Sequence, residues 1–165
     1  MSKRILGIDP GLDGGAALIA EDGILVEPLP TIGAGKERCL DLHDLQRWLE
    51  PKVPDIGHAF LELPGMRPGK NSMQSVLKVG RGVGQLEGLL HALGISYELV
   101  APQRWCAEIH RGIAGDSPKS KSQIAVRRLF PGVDLRASDR CTTIHSGMMD
   151  ALLIAEYGRR MWKSQ

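Results

Sequence analysis

The segment from Arg4 to Ile19, RILGIDPGLDGGAALI, constrains the fold more tightly than any other part of the chain. Ile5-Leu-Gly-Ile8 is a short apolar run that reads as a buried strand and delivers a carboxylate, Asp9, at its end. Pro10-Gly11 and Gly14-Gly15 turn the chain, and Ala16-Ala-Leu-Ile19 reads as a second strand returning beside the first. A carboxylate on a central strand is costly to keep charged unless a cation or hydrogen bonds compensate it. Next to glycines that admit close approach, Asp9 reads as one ligand of a metal site. The plainer reading is a hairpin whose aspartate caps a turn.

At 165 residues the chain is expected to form one domain, residues 1–165, with a single core. Its net charge of +2 is too small to imply a polyanionic partner, so the placement of the charges carries the information. Cys39, Cys106 and Cys141 are odd in number and contain no C-x-x-C pair. This points to reduced thiols in a cytosol-like compartment, against a disulfide framework and against zinc. The chain reaches Asp9 too soon for a signal or transit peptide, and no apolar run approaches membrane-spanning length. The expected location is therefore the cytoplasm.

Further along, Ile24-Leu-Val26 reads as a third strand, and residues 31–36 as a connection without periodicity. Leu42, Leu45, Trp48 and Leu49 recur at helical spacing until Pro51 and Pro54 stop the helix. Ile56 to Leu63 is a fourth strand carrying Glu62 near its end. Sites in α/β sheets gather at strand carboxyl ends, so Asp9 and Glu62 begin to form one. The basic, Gly/Pro-rich loop Pro64 to Ser72 follows. A long helix then begins near Ser72 and is interrupted by Gly80, Gly82, Gly84 and Gly88. Each interior glycine costs a helix roughly 1 kcal/mol relative to alanine, so the cluster implies close backbone packing, within the core or across a dimer interface.

A fifth strand, Ser96 to Ala101, leads into a helix opened by Pro102, with Gln103, Arg104 and Trp105 in its first turn. An amide, a cation and an indole there suit phosphate and sugar contacts; equally, Trp105 belongs to the core and Arg104 to solvent. The helix from Pro118 to Phe130 opens with Lys119 and Lys121, which oppose the helix dipole and so favour a bound anion nearby. With Arg67, Lys70 and Arg104 they suggest a phosphate-binding surface. In the last helix, about Ser146 to Trp162, Asp150 directly precedes the run Ala151-Leu-Leu-Ile-Ala155, and Ser146 is a candidate N-cap.

Asp9, Glu62 and Asp150 thus form an oxygen-only set suited to hard cations such as Mg²⁺ or Mn²⁺. Two such ions roughly 3.5–4 Å apart activate a water and stabilise the leaving oxygen of a phosphodiester, with no protein nucleophile required.

The order of these motifs, Ile8-Asp-Pro-Gly11, Phe60-Leu-Glu-Leu-Pro64 and Met149-Asp-Ala-Leu-Leu-Ile-Ala155, resembles the RuvC family of Holliday junction resolvases over essentially the whole chain. The likeness is greatest to the bacteriophage and chloroplast branch. The resemblance implies an α/β, ribonuclease-H-like fold with a central mixed five-stranded sheet flanked by helices. It also implies a homodimer and metal-dependent symmetric nicking of a four-way DNA junction. By it, Asp9, Glu62 and Asp150 are the acidic ligands of two Mg²⁺ ions, and the Gly-rich helix after Ser72 is the dimer helix. Met66 and Arg67 fall in the loop that enters the junction centre, although the usual aromatic wedge is absent.

One departure concerns the fourth metal-site residue, three or four positions before the last acid. Gly147 and Ser146 stand there, and Ser146, after His145, reads as the place of a lost carboxylate. The substitution either disables the site, is offset by His145 or a water, or marks a protein that binds junctions without cutting them efficiently. Two other classes share parts of the pattern. Actin-like kinases use a similar Asp-Gly turn but need two such domains around a nucleotide, so no nucleotide cofactor is expected. A ribonuclease H would act on RNA–DNA hybrids instead.

Overall fold

A computed structural model describes residues 3–65 and 72–162. In chain order the elements are β1 (Arg4–Asp9), β2 (Gly15–Ala20), β3 (Gly23–Pro28), β4 (Thr31–Ile32) and β5 (Cys39–Leu40). Then follow α1 (Leu42–Leu49), β6 (Ile56–Glu62), α2 (Met73–Ala92), β7 (Tyr97–Val100), α3 (Pro102–Ile109), α4 (Pro118–Leu129) and α5 (Ser146–Trp162). Five strands make one sheet in the order β3-β2-β1-β6-β7. The hairpins β1–β2 and β2–β3 are antiparallel, whereas β1–β6 and β6–β7 are parallel. The mixed five-stranded sheet expected from the sequence is therefore present.

The side chains of the sheet alternate between two cores, as the period of a strand requires. Ile5, Phe60 and Val100 pack with Trp105, Val126 and Leu152 on the side of α3, α4 and α5. Leu6, Ile8, Leu18 and Leu61 pack on the opposite side with Leu45, Leu49, Leu86 and Leu90 of α1 and α2. The single core read from the chain length is thus two layers separated by the sheet. The alternation places Asp9, four residues beyond Ile5, and Glu62, two beyond Phe60, toward α5.

Helix α5 lies unusually close to the sheet because small residues meet at the crossing. A Cβ on Gly7 would sit 2.3 Å from the Ala155 nitrogen and 2.4 Å from the Ala151 oxygen, so β1 admits only glycine there. Near its other end, Gly158 spares a similar clash with the Phe60 ring.

Three local readings change. Residues 31–36 are not wholly irregular: β4 lies within them and pairs with β5, just beyond, as a separate ribbon, each strand too short to show an alternating pattern. Pro51 and Pro54 do end α1, but inside a 3-10 segment, Glu50–Asp55. Three of the four glycines of α2 face no other described part of this chain. Among the described residues nothing lies within 4 Å of a Cβ built on Gly80, Gly84 or Gly88, and Gly82 meets only ordinary contacts, with the Pro10 carbonyl and Leu40. Core packing is therefore not the reason for Gly80, Gly84 and Gly88.

Candidate metal and nucleic-acid site

The paired ends of β1 and β6 create the site. Their parallel register runs to Ile8 opposite Leu61, so the next residues, Asp9 and Glu62, end the two strands side by side. The Gly11 N–H donates to Oδ1 of Asp9 at 3.3 Å. Burial nevertheless raises the Asp9 carboxyl to about 6, the Gly11 hydrogen bond only partly opposing it. The Trp105 indole Nε1–H donates to Oε2 of Glu62 at 2.7 Å. Burial pushes Glu62 up to about 7, countered by that hydrogen bond and reinforced by the charge of Asp9. Asp150, one turn into α5, is raised to about 7 by burial and by the charges of Asp9 and Glu62, against the weaker pull of Lys119. The charge of Asp9 thus acts on both Glu62 and Asp150, and that of Glu62 on Asp150; their proximity was not visible in any local pattern.

Glycine contacts bring α5 to this corner. Gly14 and Gly147 form a parallel bridge, and a Cβ on Gly147 would lie 2.1 Å from the Asp13 oxygen. A side chain cannot stand at position 147 in this backbone, so of the two candidates for a fourth ligand only position 146 can carry one. Ser146 is exposed there, at the first position of α5. It is not the N-cap: His145 takes that role, its Nδ1 accepting from the Met148 N–H at 3.2 Å. Ring-nitrogen capping leaves the other nitrogen protonated in neutral imidazole. Metal binding through Nε2 would require the proton on Nδ1, where it would face the Met148 N–H. The cap therefore opposes the reading in which His145 replaces the lost acid.

A second anchor escaped the sequence altogether. Arg38 donates to Oδ1 of Asp13 and to the Leu12 carbonyl, both at 2.8 Å, and to the Thr31 hydroxyl at 3.1 Å. It fastens the turn after Asp9 to the β4–β5 ribbon.

The donor set suits a hard cation. Asp9, Glu62 and Asp150 are partly buried carboxylates that repel one another, and none makes an ion pair among the described residues. Among the described residues, no three acidic, histidine or cysteine side chains already close around one point. The site offers ligands by chemistry and proximity rather than as a finished cage.

The basic residues are distributed unevenly. Lys119 is exposed at the start of α4, and its charge reaches Asp150; Lys121, two residues further along, is half-buried. Gln103 is exposed beside Gly65, and Arg104 is exposed but paired with Glu98 at 3.2 Å. Trp105 is not on the surface: it is 3% exposed, with its indole N–H directed to Glu62. The expectation of a stacking or sugar contact from this indole is corrected, because the ring belongs to the core under α3. Met66, Arg67 and Lys70 lie outside the described residues.

No family model matches the chain. A crossover junction endodeoxyribonuclease RuvC from Gluconacetobacter diazotrophicus is 30% identical over 153 residues, covering 82% of each chain. The chain belongs to the RuvC family. Solved structures agree in fold. Thermus thermophilus RuvC in complex with a Holliday junction substrate matches with a TM-score of 0.64 at 18% identity, over 97% of this chain and 96% of that one. The yeast mitochondrial Holliday junction resolvase Ydc2 matches with a TM-score of 0.58 at 16% identity, over 98% of this chain and 79% of that one. The sheet order and the layer of helices described above are thus those of RuvC.

Proposed function

We propose that this RuvC-family chain is a structure-selective endonuclease that resolves four-way DNA junctions by metal-dependent hydrolysis of phosphodiesters. The observation that carries the proposal is the convergence of Asp9, Glu62 and Asp150. Three distant segments bring mutually repelling acids to one corner, a costly arrangement unless it binds cations. Bound there, two Mg²⁺ ions, with Mn²⁺ able to substitute, would supply an activated water and stabilise the leaving oxygen. The names of its relatives, a crossover junction endodeoxyribonuclease and a RuvC bound to a Holliday junction, support four-way DNA as the substrate.

The chain's own residues divide the remaining tasks. Lys119, near Asp150, and Lys121 neutralise phosphates and draw the backbone toward the acids, with Gln103 and Arg104 at the neighbouring helix start. Met66, Arg67 and Lys70, by the family resemblance, extend this surface toward the junction centre. Two copies are needed for paired nicks, and α2 supplies the surface. Met73 and Leu77 are 82% and 72% exposed, and at helical spacing they share a face with Gly80, Gly84 and Gly88. Small residues on such a face let two helices approach closely, which makes this the proposed homodimer seam.

Ser146 favours a second reading, in which the chain binds junctions and cuts them poorly. The test is to incubate the chain with a labelled four-way junction, its linear duplex arms and an RNA–DNA hybrid, with Mg²⁺ and then Mn²⁺. Paired nicks confined to the junction support resolution. Tight junction binding without nicks supports the second reading, and cutting of the hybrid alone would make the chain a ribonuclease H.

A further inference from the structure

Trp105 was singled out by its position in the first turn of α3, yet the structure removes it from the surface and gives its indole another use. A buried indole N–H requires an acceptor. Here the acceptor is Oε2 of Glu62 at 2.7 Å, within the short range of hydrogen bonds to charged groups. The ring is held on its other sides as well. It sits edge-on to His110, centroids 5.9 Å apart and planes at 70°. His110 Nε2 in turn pairs with the buried Ser122 hydroxyl of α4 at 3.1 Å. The backbone beneath is equally fixed: the Leu63 N–H, directly after Glu62, donates to the Val100 carbonyl at 2.9 Å, two residues before α3 begins. Glu62 is thus framed by the ends of β6 and β7, by α3 and, through His110, by the basic helix α4.

We propose that Trp105 is a positioning residue of the nuclease site, whose indole N–H sets the plane of the Glu62 carboxylate and keeps it available to a cation. A glutamate has three rotatable side-chain bonds, and ordering such a chain costs entropy each time a ligand needs it in one place. A rigid donor settles that cost during folding, and partners of this kind tune metal affinity by 10- to 100-fold. The alternative is that Glu62 merely satisfies a core tryptophan. In that case the hydrogen bond affects folding and leaves metal binding alone. The inference rests on the metal-dependent nuclease reading above.

Trp105→Phe keeps the aromatic ring in the core and deletes the N–H. The full chain and this variant are compared by calorimetric titration with Mn²⁺ and by junction nicking across a Mn²⁺ series. The proposal expects the Mn²⁺ dissociation constant of the variant to rise about tenfold or more. The Mn²⁺ needed for half-maximal nicking should rise with it, and the rate at saturating Mn²⁺ should change much less. Ile109→Ala, on the same helix and in the same core, serves as the structural control: it should lower the melting temperature yet leave Mn²⁺ binding within twofold. Mn²⁺ affinity of Trp105→Phe within twofold of the unsubstituted chain overturns the assignment.

Where Trp105→Phe does not fold, the unsubstituted chain decides. Its three tryptophans, Trp48, Trp105 and Trp162, give three indole N–H signals, assignable through Trp48→Phe and Trp162→Phe. Titration with Mg²⁺ should move the Trp105 signal and leave the other two in place; an unmoved Trp105 signal overturns the proposal. Failure of the unsubstituted chain to bind Mn²⁺ or nick a junction defeats the nuclease reading itself. Metal binding and nicking with an indifferent Trp105 defeat only the inference drawn from it.

Discussion

Replacing Glu62 by glutamine should stabilise this protein when divalent metal is absent, although it removes a proposed metal ligand. In the folded chain burial and Asp9 raise Glu62 from 4.5 to about 7. A folded-state value above the unfolded one means the folded chain holds this proton more tightly. The associated stability is complete below about 4.5 and is lost as pH rises through 7. Above that window the ionised carboxylate costs at most roughly 3 kcal/mol, and partial solvent access reduces the figure to about 2. Glutamine does not ionise, and its carbonyl can still accept from the Trp105 indole. At pH 8 in EDTA, Glu62→Gln should therefore melt about 4–8 °C above the unsubstituted chain. By pH 5.5 the gap should shrink to less than half, since the folded glutamate is then largely protonated. Excess Mg²⁺ should reverse the order by stabilising only the chain with the intact site. Calorimetric melts at the two pH values, with and without metal, provide the check. A variant that melts below the unsubstituted chain at pH 8 in EDTA, or a gap independent of pH, would refute the reasoning.

Other expectations follow from the same geometry. Changing Lys119 and Lys121 together to alanine should weaken junction binding and flatten the dependence of log affinity on log salt by about 2, as two phosphate contacts are lost. A filter-binding series at increasing salt measures this, and an unchanged slope would take α4 off the DNA surface. Gly147→Ala should cost about 3 kcal/mol, because its Cβ would meet the Asp13 carbonyl across two fixed backbones; a melting temperature within a degree of the original would contradict that packing. Leu77→Glu places a charge on the open face of α2 and should yield monomers in light scattering while the melting transition stays cooperative. Dimers that persist would move the interface elsewhere.

Much of this architecture was legible because it rests on apolar runs. Ile5 to Ile8 and Ile56 to Leu61 announce buried strands, and their two acids fall at the strand ends as the register then requires. Asp150 was legible through its place before Ala151 to Ala155, the run that packs against the sheet. Contacts that depend on one side chain reaching a distant segment carry no periodic signal. Arg38 holds the turn after Asp9 from 25 residues away, and nothing in its surroundings marks it. Trp105 drew attention by its helix position, but an indole at a helix start reads alike whether it faces solvent or a buried carboxylate. His145 displaced Ser146 as the cap because an imidazole nitrogen can accept as a hydroxyl does, an equivalence that composition hides. The glycines of α2 remained ambiguous in the sequence for a related reason. Only the placement of their neighbours shows that Gly80, Gly84 and Gly88 face away from this chain's own core.

The most direct test of the account maps nicks on a four-way junction in Mg²⁺ for three forms of the chain: unsubstituted, Ser146→Asp, and Ser146→Asp combined with Glu62→Gln. Ser146→Asp should cut two opposing strands at symmetric positions, faster than the unsubstituted chain, and adding Glu62→Gln should abolish cutting while junction binding persists. Nicking that survives the loss of Glu62, or a Ser146→Asp chain that binds the junction and leaves every strand whole, would contradict the nuclease reading.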